Sequence, residues 1–529
     1  MKLSEISANS FDPSVWEEKG YQLPQFDVKS VREKTAAEPT WLHFGAGNIF
    51  RAFPAAVLQK ALDAGQYDRG VIVAEGFDYE IIDKAYRPYD NLSLLVLLKS
   101  DGSIEKRVVA SVTESLKADF QFAEDWARLV EIAKAPSLQM ISFTITEKGY
   151  LTNPTDLERG MAPVLMMGKL AALLYQRYLA GAYPITVQSM DNCSHNGNKV
   201  RSGVLAYADR WVQTGLAEAG FAEYLRDTAV VSFPWSMIDK ITPRPDAQVQ
   251  EMLASDGFED NETIITGRNT YTAPFVNAEE TEYLVIEKDF PNGCPPLDFG
   301  GVMFTERETV DNVERMKVCT CLNPLHTALA IYGCLLDYTL ISAEMKDEDL
   351  CGLVTKMGYL EAMPVVVDPG VLKPADFIDA VLTKRLPNPF MPDAPQRIAT
   401  DTSQKLPIRF GETIKAYAKK GLDMDQLVLI PLVLAGYARY LTGINDNGQA
   451  FVPSSDPLLA ELQQIVAGLE VKEATQDFSC LKQLYSRADV FGVNLYEVGL
   501  GGKIEAMAAE LFAGPGAVRR TLHKYVSLR

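Results

Sequence analysis

Gly45-Ala46-Gly47 follows the apolar run WLHF and precedes the helical pattern NIFRAFPAAVLQK. In that setting the first glycine permits a tight turn and the second lets the backbone approach a pyrophosphate. The helix starting at Asn48 and Ile49 then offers the phosphates its unpaired N–H groups. The third position of the usual fingerprint holds Phe50, so an ordinary strand–helix turn is the competing reading. Arg51 can bring a guanidinium toward a phosphate, although a solvated surface arginine is the commoner use. The next strand, VIVAE, ends in Glu75, with Asp78 just beyond. An acid there accepts a hydrogen bond from a ribose 2′-hydroxyl and repels a 2′-phosphate, which favours NAD over NADP. Glu75 is the first candidate and Asp78 the second, and a helix N-terminal acid is the alternative for either.

These residues need a frame. WLHFGAGNIFRAFPAAVLQK at 41–60 reads as strand, turn and helix, and GVIVAEGFDYEIID at 70–83 as another strand, turn and helix start. LSLLVLL at 92–98 and KRVVASV at 106–112 read as strands split by the turn residues SDGS. FAEDWARLVEIAKA at 122–135 is helical, LQMISFTIT at 138–146 β-rich, LMMGKLAALLYQRYLAG at 165–181 a helix and PITVQSMDN at 184–192 a strand. This alternation predicts an α/β domain with a mostly parallel sheet covered on both faces. Past about residue 300 helical patterns dominate, as in HTALAIYGCLLDYTLISAEM and QLVLIPLVLAGYARYLTG. The expected division is therefore 1–289, with 1–40 a polar lead-in, and a largely helical 290–529. The Pro/Gly-rich segment 288–301 is the expected connector.

At roughly 100–200 residues per domain, 529 residues suggest two to four domains. Hydrophobic residues at 47% and charged residues at 23% are ordinary globular values. A net charge of −19, from 51 basic and 70 acidic residues, argues against a dedicated nucleic-acid binder. It leaves open an anionic small substrate held by a local basic pocket. Seven cysteines are too few and oddly numbered for a disulfide framework. Cys319 and Cys321 lack a second pair at zinc spacing, so no metal is expected. The polar, acidic start does not read as a signal peptide, and no run of about 18 apolar residues suggests a membrane span. A cytoplasmic protein is the expectation. Oligomeric state is not legible.

Further segments carry a resemblance: TITEKGY at 144–150, MDNCSHNG at 190–197, FPWSMIDKITP at 233–243, YLVIEKDFPNGCPP at 283–296, LNPLHTALA at 322–330 and RIATDTSQKLP at 397–407. With HFGAGNIFRAF they stand in one order across roughly residues 41–450, and the chain resembles the long-chain mannitol dehydrogenase family. The resemblance implies a Rossmann-type N-terminal domain and a helical C-terminal domain. It also implies metal-independent hydride transfer between NAD(P) and a secondary alcohol or ketone. AGYARYLTGINDNGQAFVPSSDPLLAEL at 435–462 is most similar to the branch that interconverts D-fructuronate and D-mannonate. Tagaturonate reduction and a polyol dehydrogenase activity like that of mannitol 2-dehydrogenases are alternatives inside the family. A non-catalytic NAD(H)-binding module is the alternative outside it.

The resemblance also implies roles. Lys317 in ERMKVCTCLN matches the acid/base, whose ammonium protonates the alkoxide formed on reduction. Asn192 and Asn323 match amides that donate to that oxygen. His326, one of four histidines, matches a residue that binds or orients the substrate, and Asp239 in SMIDKITP lies where a residue binds a sugar hydroxyl or pairs with a neighbouring cation. Arg397 and Lys405 match two cations suited to a uronate carboxylate, and Glu314 a proton relay to water. Blander uses compete: a solvated lysine, a core histidine, an Asn323 helix cap with Pro324 behind it. One departure stands out, because the family's lysine lies one residue nearer its asparagine. On a regular helix an extra residue turns a side chain by about 100° and moves it about 1.5 Å. A helix break before Pro324, or a π-bulge across Val318–Leu322, absorbs that residue and keeps Lys317 in place.

Overall fold

Short apolar runs without polar alternation need cover on both faces, and the central sheet is built from them. Its strands are β1 (Trp41–Phe44), β2 (Val71–Glu75), β3 (Val112–Lys117), β4 (Met140–Phe143), β5 (Ile185–Ser189) and β6 (Val231–Ser232). β1, β2, β4 and β5 are buried along their whole length. All neighbours run parallel, in the order β3-β2-β1-β4-β5-β6. Strand order reverses between β1 and β4, which opens a crevice at the carboxyl ends of those strands. The glycine turn leaves β1 at that point.

This computed structural model describes residues 1–7, 11–473 and 476–529. The chain forms two units, one of 1–99 and 103–311, the other of 312–529 with 100–102. The segment 288–301 belongs to the first unit, and the division falls within the helix Arg307–Met316.

In the first unit, side chains on β1 alternate between two cores, as the two-residue period of a strand requires. Leu42 and Phe44 face the helices Ala123–Lys134, Met166–Gly181 and Asn196–Gln213 through Leu129, Leu170 and Val204. Trp41 packs with Phe50, Leu58 and Leu62 around the helix Pro54–Asp63. A second sheet joins Tyr21–Gln22, Ile104–Val109, Ser93–Leu98 and Phe275–Glu279. Here Tyr21 pairs with Lys106, and Phe275 with Leu94. Described residues of the polar segment before β1 pack onto the unit: Trp16 is buried against Tyr21 and Phe258, and Asp27 caps the helix Val28–Ala37. Their few apolar residues are scattered among charges, which hid the packing.

The second unit is helical. Asn323–Leu335 and Leu429–Leu441 are apolar nearly all round and correspondingly buried. Tyr332 Oη donates to the Leu432 carbonyl at 2.8 Å. Leu429–Leu441 has no local cap. The Glu361 carboxylate instead takes the N–H groups of Val428, Leu429 and Ile430 at 2.7–2.9 Å. The helical run 307–335 is long and apolar enough to cross a membrane, yet 78% of its apolar window is buried inside the protein. Four π-turns interrupt this unit's helices, at Lys317–Cys321, Met357–Ala362, Val381–Arg385 and Pro407–Gly411.

Candidate functional site

In the first unit the glycine turn is locked by its neighbours. Gly45 has φ +103°, and a Cβ there would stand 2.4 Å from the Thr144 carbonyl oxygen. Only glycine fits. A Cβ on Gly47 would meet nothing within 4 Å, so the backbone is open on that side, as a phosphate approach requires. Ile49 is half-buried. His43, before the turn, is sealed between Ser142 Oγ at 2.7 Å and Thr144 Oγ1 at 3.0 Å. Burial pushes its pKa down to about 3, so it is a neutral packing residue.

Glu75 is almost entirely buried at 7% exposure. Its Oε2 accepts the Ala46 N–H at 2.8 Å, and its Oε1 accepts those of Phe77 and Asp78 at 2.8 and 3.1 Å. Burial pushes its pKa up and the three N–H groups pull it back. The carboxylate therefore stitches the turn after β2 to the glycine turn. Asp78 is buried and accepts the Thr266 hydroxyl at 2.6 Å. Arg51 does not take the position expected of it. It is wholly buried, and its guanidinium donates to the Ala273 carbonyl, Thr272 Oγ1 and Asn48 Oδ1. The helix Asn48–Ala52 is so short that this side chain turns into the protein and fastens the strand Tyr271–Thr272.

The loop after β5 carries Asn192, which is exposed. Beside it, Asp191 accepts the Tyr150 hydroxyl and the Cys193 N–H. Asn196 was not singled out from sequence, yet it fixes this loop. Its amide donates to the Asp191 carbonyl at 3.3 Å and the Ser236 carbonyl at 3.1 Å, and its Oδ1 accepts the Ser236 N–H. The strand Ser236–Asp239 ends in buried Asp239. Lys240, the next residue, is directed to the Glu279 carbonyl and Glu282 at 2.9 Å each.

In the second unit Lys317 is buried, with 5% exposure, and opens a π-turn ending at Cys321. The Leu322 N–H donates to the Lys317 carbonyl at 3.1 Å, five residues back. This is the irregularity required by the extra residue. The α-helix restarts at Asn323 with Pro324 in its first turn. Asn323 is already helical and its side chain makes no cap bond, so it is not the helix cap its sequence suggested. Glu314 lies half-buried one turn before Lys317.

His326 and its surroundings form the densest charged cluster. Its Nε2 lies 3.6 Å from Asp393 Oδ2. Burial pushes its pKa down to about 4; Asp393 opposes this, while Arg409, Arg397 and Arg385 reinforce it. The imidazole is neutral at ordinary pH. Arg397 is 63% exposed and paired with Asp393. The Lys405 ammonium donates to the Ile398 and Thr400 carbonyls. Burial and Arg409 push its pKa down. Arg409 donates to Thr327 Oγ1, and burial pushes it down to about 10. Arg385 is buried. Sequence reasoning missed Arg385 and Arg409. The available signal was an arginine inside an otherwise apolar helical pattern, as in KLPIRFGETI and AVLTKRLPNP. Among the described residues no group of three His, Cys, Asp or Glu is arranged to hold a metal ion.

Residues 39–298 match the family described as "Mannitol dehydrogenase Rossmann domain", and residues 309–498 match "Mannitol dehydrogenase C-terminal domain". The D-mannonate oxidoreductase of Thermotoga maritima is 51% identical over 529 residues, 97% of each chain. A crystal structure of D-sorbitol dehydrogenase in substrate-free form is similar with TM-score 0.78 and 24% identity, over 95% of this chain and 97% of that one. Pseudomonas fluorescens mannitol 2-dehydrogenase, in a ternary complex with NAD and D-mannitol, is similar with TM-score 0.70 and 24% identity over all of both chains.

Proposed function

The chain belongs to the mannitol dehydrogenase family, and from that premise we propose that it is an NAD-dependent oxidoreductase interconverting D-fructuronate and D-mannonate. The observation that carries the choice of a sugar acid over a neutral polyol is the cluster of Arg385, Arg397 and Arg409 around neutral His326. Arg385 is buried and Arg409 half-buried beside His326, while Arg397 is exposed and paired with Asp393; together they give a positive potential suited to a hexuronate carboxylate. The Thermotoga maritima relative, at 51% identity, supports the same substrate pair.

NADH, when bound, supplies the hydride that reduces the ketone carbon. The open side of Gly47 and the amides of the glycine turn suit its pyrophosphate. The protein's own residues manage the oxygen and its proton. The Lys317 ammonium gives its proton to the developing alkoxide and, in the reverse direction, the neutral amine removes it. The Asn323 amide donates to that oxygen, and the Asn192 amide is assigned the same donor role. His326, held neutral, hydrogen-bonds a substrate hydroxyl without adding charge. Asp239 accepts from another hydroxyl. Glu314 passes the lysine's proton to water. Arg397 and Lys405 add positive potential for the carboxylate, with Lys405 held rigidly by its backbone bonds. Glu75 and Asp78 frame the ribose end. No disulfide joins the seven cysteines, which supports a cytoplasmic location.

The test is NADH oxidation, followed by nicotinamide absorbance, with D-fructuronate, D-tagaturonate and D-fructose supplied separately. D-Fructuronate is the expected substrate, and Lys317→Ala is expected to lose about 10²–10⁴-fold in kcat. Preference for D-fructose would make this a polyol dehydrogenase. Activity that survives the substitution would remove Lys317 from its role.

A further inference from the structure

A short hairpin lies over the loop that follows β2. Its strands are Ile264–Ile265 and Tyr271–Thr272, and its turn touches the loop at three points. Thr266 Oγ1 donates to Asp78 Oδ2 at 2.6 Å, the Gly267 N–H donates to Glu80 Oε1 at 3.2 Å, and the Arg268 guanidinium lies 4.3 Å from the centre of the Phe77 ring. Thr266 Oγ1 also accepts the N–H groups of Arg268 and Thr270, at 3.3 and 3.1 Å, which sets the turn's shape. The far end of the hairpin is fastened by Arg51, which reaches Thr272 and the neighbouring Ala273 from the helix after the glycine turn. The hairpin thus bridges the loop after β2 and the short helix that follows the glycine turn after β1.

Phe77 is the anomaly in this arrangement. It is 63% exposed although it sits two residues past a fully buried strand. Its backbone is fixed by the Glu75 carboxylate, so the ring is presented to solvent by a rigid loop. Arg268 is exposed, and its backbone N–H donates to Thr266 Oγ1. An exposed aromatic ring beside an exposed guanidinium is suited to stacking on a flat, electron-rich base. Resting on the reading that this sheet edge takes NAD(H), we propose that Phe77 and Arg268 clamp the adenine ring of the dinucleotide, with the base between the phenyl face and the guanidinium. The hairpin is then a specificity element for the adenosine end, remote from the hydride.

The experiment titrates 5′-AMP into the full chain by calorimetry and measures kinetics with NADH and with reduced nicotinamide mononucleotide, which lacks adenosine. Phe77→Ala and Arg268→Ala are each expected to weaken 5′-AMP binding about tenfold and to raise KM for NADH by a similar factor. Both should leave kcat and turnover of the reduced mononucleotide within about twofold of the parent. Phe77→Tyr, which keeps the aromatic face, should retain 5′-AMP affinity. Unchanged 5′-AMP affinity in both alanine variants overturns the clamp while leaving the cofactor reading intact. Equal losses with NADH and the mononucleotide would also overturn it, since they indicate a general disturbance. If the parent chain binds neither 5′-AMP nor NADH, the reading of the sheet edge itself fails and the clamp with it.

Discussion

His326 Nε2 stands 3.6 Å from Asp393 Oδ2, beyond hydrogen-bond reach, and has no other hydrogen-bond partner among the described residues. The pair is close enough to attract and too far apart to share a proton. Burial prevails, and the imidazole stays neutral down to about pH 4. An NMR titration should therefore show two histidine C2 protons unmoved between pH 8 and 5, those of His43 and His326, one of which disappears in His326→Asn. A histidine pKa depressed from 6.5 to about 4 means that the unfolded chain binds more protons within that window. Stability present above pH 6.5 should thus be lost as pH falls toward 4, by about 1.4 kcal/mol per unit. In His326→Asn that contribution to the slope should vanish, as read from denaturant midpoints across the window.

The π-turn at Lys317–Cys321 holds one residue more than an α-turn would. Deleting Cys319 should convert it to a regular turn while leaving Lys317 and Asn323 in phase. We expect that deletion to keep at least about a tenth of the parent kcat, whereas Lys317→Ala loses about 10²–10⁴-fold. Equal losses in the two variants would mean that the π-turn itself, and not merely the lysine, is needed.

Arg409 donates to Thr327 from a half-buried position beside His326. If its positive charge reads a carboxylate, Arg409→Leu should raise KM for a hexuronate by about 10–100-fold. Residual turnover of a neutral ketose should change little. A parallel loss on both substrates would point to misplacement of His326 and Thr327 instead.

Gly45 and Gly47 should respond differently to alanine. At Gly45 the left-handed φ and the Thr144 carbonyl leave no room, so Gly45→Ala should unfold or strongly destabilise the first unit, seen as a lowered melting temperature. At Gly47 a methyl meets no protein atom. Gly47→Ala should melt like the parent yet bind NADH about tenfold more weakly, because the methyl occupies the phosphate's approach.

Glu344 is fully buried, with neither carboxylate oxygen hydrogen-bonded among the described residues. Burial pushes its pKa up to about 9. The folded chain therefore holds an extra proton between pH 4.5 and about 9, and this contribution to stability is lost as pH rises through that range. Glu344→Gln should raise the melting temperature at pH 8 relative to the parent by a few degrees, and by less at pH 5. No gain at pH 8 would show that a hydrogen-bonding partner reaches the carboxyl.

Some of this was legible in the sequence because single residues carried a unique geometric demand. A glycine pair between an apolar strand and a helix specifies its own turn, and one extra residue between Lys317 and Asn323 specifies an irregular helix. Directions were less legible. Arg51 follows the glycine turn as a phosphate ligand would, but a helix ending at Ala52 sends it inward. β3 was overlooked because the buried residues of VTESLK, Val112, Ser115 and Leu116, do not follow a strand's two-residue period. Arg385 and Arg409 sit on π-turns, whose register depends on tertiary packing, so helical periodicity does not show which way they point.

The pairing of Ser93–Leu98 with Phe275–Glu279 has a consequence for how the chain is made. The hairpin of Ser93–Leu98 and Ile104–Val109 emerges from the ribosome with one apolar edge bare. The strand that covers it follows only after on the order of ten seconds or more of further synthesis. Until then a nascent chain carries an open β-edge, the feature most prone to pairing with another chain. Fragments ending before Phe275 should therefore aggregate even though they contain the entire parallel sheet, and slowing translation within 110–275 should lower the yield of folded protein.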